Sequence, residues 1–256
     1  MILDPLFYLV AIPAVLIVGI SKGGFGGGLG LLAVPLMSLA VPPVQAAAIL
    51  LPILCVMDLF SVWGFRGRFD KDNLKVLIPA ALLGLVLGTL TFRLLSEAHI
   101  KLAIGLMAVA FCGQFVASKV RRRQPEPRGR SLFGGGLWGT LTGFCSFSVH
   151  AGGPPLSIYL LPQRLDKSVF VGTTVLLFAL VNYVKLLPYA WLGLLQPGNL
   201  LTSLWLVALA PVGVWLGIYL HHRISDGWFY LCCYGLLAMT GLKLCYEGAA
   251  VLFGTV

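Results

Sequence analysis

The sequence predicts an all-α integral membrane protein made of two repeats, each with four hydrophobic segments. Three observations predict it. Of 256 residues, 59% are hydrophobic and 11% charged, whereas soluble domains run at about 45–50% and about 25%. Mean hydropathy is +0.94. The apolar residues fall into eight segments, roughly 6–40, 44–64, 76–95, 99–118, 132–162, 168–192, 199–220 and 227–253. Spanning the hydrocarbon takes about 20 apolar residues, so six segments fit one helix each. Segments 6–40 and 132–162 are too long for one helix, and both are interrupted by glycine.

Taken in order, Asp4-Pro5 reads as an N-cap and first helical position, and Met1–Pro5 has no basic n-region. The first helix is therefore expected to start there directly. It meets the break Ser21-Lys22-Gly23-Gly24-Phe25-Gly26-Gly27-Gly28-Leu29-Gly30. Glycine at this density opposes a continuous helix, since each Gly costs about 1 kcal/mol relative to Ala. A half-helix is expected to resume after Gly28 or Gly30. Backbone released from a helix cannot face lipid, so it must be buried in protein or line a watery cavity. Segments 44–64, 76–95 and 99–118 read as simple spans. Residues 119–131 form the strongly polar linker, with Lys119, Arg121, Arg122, Arg123, Arg128 and Arg130. The second half opens on the broken segment 132–162, with its break at Ser148-Val149-His150-Ala151-Gly152-Gly153-Pro154-Pro155. Three simple spans follow.

The chain thus divides into a first repeat over 1–118, a basic cytoplasmic linker over 119–131 and a second repeat over 132–256. Pro79, Gly84, Gly88 and Ser96 match Pro211, Gly213, Gly217 and Ser225 in order, and Asp58 falls opposite Asn182. The glycine pairs Gly84/Gly88 and Gly213/Gly217 are expected to serve close helix packing. The positive-inside rule separates two topologies. If each broken segment crosses once, Lys and Arg divide ten inside to five outside. If each crosses and returns, Arg164, Lys167 and Arg223 move inside and the division is thirteen to two. The second arrangement has five crossings per half, up to ten in all, and makes the repeats inverted. Against it, helices over 6–20 and 29–40 would be only about 22 Å and 18 Å long, short of about 30 Å of hydrocarbon.

Paired interrupted segments are the best sequence pointer to a transporter's binding site. Each resumed half-helix would aim a helix N-terminus at its break, an environment that favours anions. The site is therefore expected between the breaks, near the bilayer centre. Its substrate-binding candidates are Lys22, Ser21, Gly26, Gly27, Gly28, His150, Gly152, Gly153 and Ser148. Lys22 supplies charge, because an intramembrane cation is costly and usually functional. His150 can titrate near neutral pH. Serines supply hydroxyls and glycines N–H donors. Asp58, Asn182 and Lys185 are coupling candidates. Asp58 is an isolated carboxylate in an apolar segment, and Lys185 shares a helix face with Asn182. A structural Asp58–Lys22 or Asp58–Lys185 ion pair is the plainer alternative.

Other function classes find little support. The formal net charge of +9 gathers in short loops, as orientation charges do, so no nucleic-acid partner is expected. Cys55, Cys112, Cys145, Cys232, Cys233 and Cys245 lie in apolar segments without metal-ligand spacing, so neither a metal nor a cofactor is expected. Catalytic motifs of hydrolases and metalloenzymes are missing. The expected partners are a small anion and the lipid bilayer, and the sequence leaves monomer and homo-oligomer both open.

The stretch from Gly19 through Ser21-Lys22 and the glycine run to Pro35-Leu36, together with His150-Ala151-Gly152-Gly153-Pro154-Pro155, resembles the TauE/SafE sulfite exporter family. The likeness extends to 161–167 and Val171–Thr174, and covers 6–250. It implies a multi-pass permease of the bacterial inner membrane that exports sulfite, sulfoacetate or a related organosulfonate; Asp58 or His150, read as residues, could couple a proton to it. His150 and the Pro154-Pro155 pair depart from the commoner glycine-rich form of the second break. A passive anion channel, an intramembrane enzyme acting on lipid or peptide, and an assembly protein are the competing readings.

Overall fold

The computed structural model describes residues 2, 4–26, 33–91, 96–120 and 129–252. Among them every regular element is helical: α1 (Pro5–Gly24), α2 (Ala33–Met37), α3 (Pro43–Gly64), α4 (Lys71–Thr91), α5 (Glu97–Val120), α6 (Leu132–Val149), α7 (Gly153–Leu160), α8 (Lys167–Trp191), α9 (Pro197–Leu206), α10 (Leu209–Arg223) and α11 (Asp226–Leu252). A 3-10 turn over Leu161–Gln163 follows α7. Among the described residues, five helices are long and apolar enough to cross a membrane, or six if the bent pair α9–α10 counts as one. Large apolar side chains such as Leu9, Trp63 and Tyr246 are 68–71% exposed, as lipid-facing residues are and as soluble proteins avoid in such numbers. This is an all-α membrane protein.

Local chemistry sets the helix ends. Asp4 caps α1 as expected, its side chain accepting from the Leu6 N–H at 2.9 Å, with Pro5 in the first turn. Ser131 caps α6 by accepting from the Gly134 N–H at 3.1 Å. The segment expected as one span over 199–220 is bent by 45° between α9 and α10. Pro211 explains the bend. It has no N–H to offer Val207, four residues earlier, and its ring crowds that carbonyl.

The helices form two compact units, each assembled from pieces far apart in sequence. Unit 1 comprises 1–71 and 167–225, and unit 2 comprises 72–166 and 226–256. In unit 1, α1 lies parallel to α10: Gly19 meets Gly213, Gly23 meets Val214 and Gly24 meets Gly217, so residue numbers rise together. The contact is backbone to backbone, and a Cβ added at Gly19 would lie 2.8 Å from the Gly213 Cα. Helix α3 runs antiparallel to α8, with Cys55 opposite Tyr183, Asp58 opposite Asn182 and Phe65 opposite Gly172. In unit 2, α4 lies parallel to α6, where Val76, Ala80 and Phe147 mark the seam against Gly135, Gly139 and Gly88 respectively. Helix α5 runs antiparallel to α11, with Gly105 against Cys245 and Cys112 against Tyr234. Gly84/Gly88 and Gly213/Gly217 are therefore packing glycines.

The core of unit 1 is apolar around Phe7, Ala11, Val15, Val18, Ile49, Ile53, Met57 and Val214. Toward the end of α1 it turns polar.

Candidate functional site

The first break starts later than its glycines suggest. Helix α1 continues through Ser21, Lys22, Gly23 and Gly24, and closes where the Phe25 N–H donates to the Ser21 carbonyl at 2.8 Å. Twenty residues make about 30 Å of helix, so α1 spans hydrocarbon unaided and the expected short helix over 6–20 is corrected. Gly23 and Gly24 remain helical because packing against the α10 backbone compensates their poor propensity. A Cβ at Gly23 would strike the Val214 carbonyl. The chain leaves the helix at Gly26, whose φ of +67° suits glycine. Gly26 sits on α8, where an added Cβ would lie 3.0 Å from the Phe170 ring and 3.3 Å from the Thr174 hydroxyl. Gly27 and Gly28 lie outside the described residues. Of the half-helix expected to resume after Gly28 or Gly30, α2 (Ala33–Met37) lies among the described residues, and its expected N-terminus lies outside them.

Five of the expected residues, Ser21, Lys22, Asp58, Asn182 and Lys185, are buried in unit 1. Lys22 Nζ makes an ion pair with Asp58 Oδ1, and Asn182 Nδ2 donates to Asp58 Oδ2 at 2.7 Å. Both oxygens of the carboxylate are thus engaged, one from α1 and one from α8. Lys185, one turn beyond Asn182, is fully buried, and its Nζ lies 5.6 Å from the Tyr189 ring centroid, within cation–π range. Ser21 is buried beside Lys22. Among the described residues, the buried charged side chains are Lys22, Asp58 and Lys185, all in this one cluster.

The expected residues of the second break, Ser148, His150, Gly152 and Gly153, belong to unit 2. His150 adopts the left-handed conformation, with φ of 53°, and closes α6 by donating its N–H to the Cys145 carbonyl. Its backbone therefore has a capping role, and its side chain is half-buried. Helix α7 starts at Gly153 with Pro154 and Pro155 in its first turn. The prolines start the helix but remove two N–H donors from it. Leu156 N–H is directed at the Gly152 carbonyl, at 3.4 Å. Of the first helical positions, Gly153 alone keeps a donor that is not turned back into the helix, so this terminus is a weaker anion site than the sequence suggests.

Two residues that the sequence reading passes over belong to the unit 1 site. His221, on α10, is fully buried. Its Nδ1 lies 3.0 Å from the Gly24 carbonyl at the end of α1, and its Nε2 lies 3.1 Å from Ser168 Oγ. A carbonyl only accepts, so Nδ1 carries the proton and Nε2 faces the hydroxyl. Arg68 donates to the same Ser168 Oγ at 3.4 Å. In the sequence His221-His222-Arg223 reads as the basic end of a helix, which hides the first histidine. Ser61 is one turn from Asp58 on α3, and its hydroxyl is buried without a hydrogen-bond partner among the described residues. A polar atom in an apolar segment, three residues from the carboxylate, was the available signal. His221→Leu is expected to lower stability by about 1–3 kcal/mol, since it leaves the Gly24 carbonyl buried without its donor. Thermal unfolding in detergent measures this, and an unchanged midpoint would show that the bond is unimportant.

A buried cation held by a carboxylate at a helix end, with a second lysine nearby and a hydroxyl that has no partner among the described residues, can exchange its carboxylate partner for an incoming anion. A family model described as Sulfite exporter TauE/SafE matches residues 11–244. Neither a curated protein nor a solved structure matches the chain.

Proposed function

Since the chain belongs to the sulfite exporter TauE/SafE family, we propose that it is a secondary transporter exporting a small sulfur-containing anion, such as sulfite, sulfoacetate or another organosulfonate, across the bacterial inner membrane. The observation that carries this reading is the buried Lys22–Asp58–Asn182 cluster at the end of α1. An ion pair deep in an apolar helix bundle is costly to bury and is weak evidence of stability. As a substrate site it has a use: the anion takes Lys22, and Asp58 keeps Asn182 while Lys185 stands on the same face of α8. Asp58, Asn182 and Lys185 are thus the residues that couple the anion to a change in helix packing.

Helix pairing supports inverted repeats. Exchanging the two halves turns the α1–α10 pair into the α6–α4 pair, and both are parallel. It returns α3–α8 and α5–α11 to themselves, and both are antiparallel. A helix packed antiparallel to its own repeat mate requires a two-fold axis across the helices, which is the inverted case. Single crossings of the broken segments would make both of those pairs parallel. Asp58 and Asn182, matched between halves in the sequence, bond to each other across such an axis. Alternating access by rocking about a site near the axis is the usual consequence.

The test is transport itself. Proteoliposomes containing the purified protein are expected to accumulate radiolabelled sulfite down an imposed gradient, with saturation and with counterflow from preloaded vesicles. Saturation without counterflow would point to a passive channel, and no uptake above protein-free vesicles would refute the proposal.

A further inference from the structure

In each unit a buried asparagine holds the chain where a broken segment ends. In unit 2 it is Asn73, third in α4 and fully buried. Its Nδ2 donates to Gln163 Oε1 at 2.8 Å, and Gln163 Nε2 donates back to Asn73 Oδ1 at 3.4 Å. Gln163 ends the 3-10 turn that follows α7. The hydroxyl of Tyr159, on α7, lies 3.1 Å from Asn73 Oδ1 and 3.3 Å from the Ser131 carbonyl, and donates toward both. Ser131 caps the start of α6, and Arg130 beside it pairs with Asp72, the neighbour of Asn73. The segment over 132–162 therefore begins and ends at one place, the first turn of α4.

Unit 1 repeats the arrangement with the halves exchanged. Asn199 is third in α9 and buried. Its Oδ1 accepts from Gln45 Nε2 at 3.1 Å. Gln45 stands in the first turn of α3, just past the first broken segment. The chain before that segment is tied to the same helix, since the Ile2 N–H donates to Thr202 Oγ1 at 3.1 Å, one turn beyond Asn199. Asn73 belongs to the first half and Gln163 to the second, whereas Asn199 belongs to the second and Gln45 to the first. Each half thus holds the broken segment of the other.

A short arm needs such a hold. Helix α7 has eight residues, and isolated helices shorter than about 12 residues are marginal. Together α7 and the 3-10 turn measure about 18 Å, less than about 30 Å of hydrocarbon. With Gln163 fixed at the first turn of α4, Gly152 and Gly153 at the other end of the arm are held at a set depth. Buried amides are costly when unpaired, so Asn73 and Gln163 each keep the other in place.

We infer that Asn73–Gln163 and Asn199–Gln45 are matched anchors that fix the depth of the two breaks, which makes Asn73 and Asn199 positioning residues for the transported anion. The inference rests on the transport reading above and adds these residues to it.

Asn73→Leu and Gln163→Met remove the amides with little change of volume. One readout is backbone amide hydrogen exchange of the purified full-length protein in detergent, resolved by mass spectrometry. Exchange over 153–163 is expected to rise about tenfold in each single variant, as the loss of one or two hydrogen bonds implies, with α3 and α8 unchanged. The double variant should rise no further than the singles, because each single already breaks the pair. Asn199→Leu should do the same over 33–45. The second readout is sulfite uptake in proteoliposomes. Asn73→Leu and Gln163→Met are expected to raise KM about tenfold, whereas a merely structural defect lowers the maximal rate through lost protein and leaves KM alone. Should Asn73→Leu fail to fold, Gln163→Met, whose side chain is half-buried in the native protein, decides by itself. Wild-type exchange over 153–163 in the variants overturns the inference, and so does faster exchange there with a wild-type KM. Sulfite uptake by the wild-type protein with unchanged exchange in the variants removes the anchors alone. Faster local exchange in the variants, in a protein that shows no sulfite uptake even as wild type, removes the transport reading and the positioning role with it, and leaves the anchors standing.

Discussion

Lys22→Met is expected to abolish sulfite transport and also to destabilise the protein, by about 3–5 kcal/mol as is usual when one partner of a buried ion pair is removed. The loss of stability follows from Asp58, which would keep the Asn182 bond at 2.7 Å and lose its ammonium partner. Transport loss alone would therefore not separate a substrate role from a structural one. The double variant Lys22→Met/Asp58→Leu does. With both charges gone and apolar volume in their place, stability should return to within about 1 kcal/mol of wild type, because a buried ion pair replaced by well-packed apolar groups is often neutral or better. Transport should remain absent, since the cation that meets the anion is gone. Melting temperature in detergent and uptake in proteoliposomes are the two measurements. A double variant that is stable and still transports sulfite would show that the pair only holds α1 to α3.

The second large effect is expected at the α1–α10 seam. Gly23→Ala places a Cβ against the Val214 carbonyl. Backbone cannot rotate aside as a side chain can, so α1 must shift away from α10, at a cost of about 1–3 kcal/mol for overpacking. The shift also displaces Lys22, the neighbouring residue, so transport should fall along with stability. Gly136→Ala is the control. Gly136 lies in α6 with nothing within 4 Å of an added Cβ, and alanine there should gain about 0.5–1 kcal/mol from helix propensity. Unfolding midpoints compare the two. If Gly23→Ala melts like wild type, the seam is looser than the backbone contacts indicate, and the glycines of the motif serve the break rather than the packing.

Much of the architecture was legible from local chemistry. Each hydrophobic segment contains a helix, Asp4 and Pro5 start α1, and both broken segments are interrupted. The second break falls at His150, next to the glycines and prolines that mark it. The extent of the first break was not legible. Glycine propensity places the end of the helix near residue 20, whereas contact with Val214 and Gly217 carries it to Gly24. The bend at 207–208 was readable in principle from Pro211, but a proline in an apolar segment is compatible with a straight span too.

For the site, the sequence singled out Lys22, Asp58, Asn182 and Lys185 because a charged or amide side chain in an apolar segment stands out by composition alone. Membrane class, helix content and those candidates are what the sequence determined by itself, since hydropathy and the conformational preferences of Gly and Pro act over a few residues. Which candidates meet was decided only by tertiary structure. Lys22 and Asp58 are 36 residues apart and Asp58 and Asn182 are 124 apart. The contact between His221 and Gly24 closes a separation of 197. Such contacts form when helices pack in a particular register. That register is decided by the fit of whole helix surfaces, here glycine against backbone, which no local window of sequence contains.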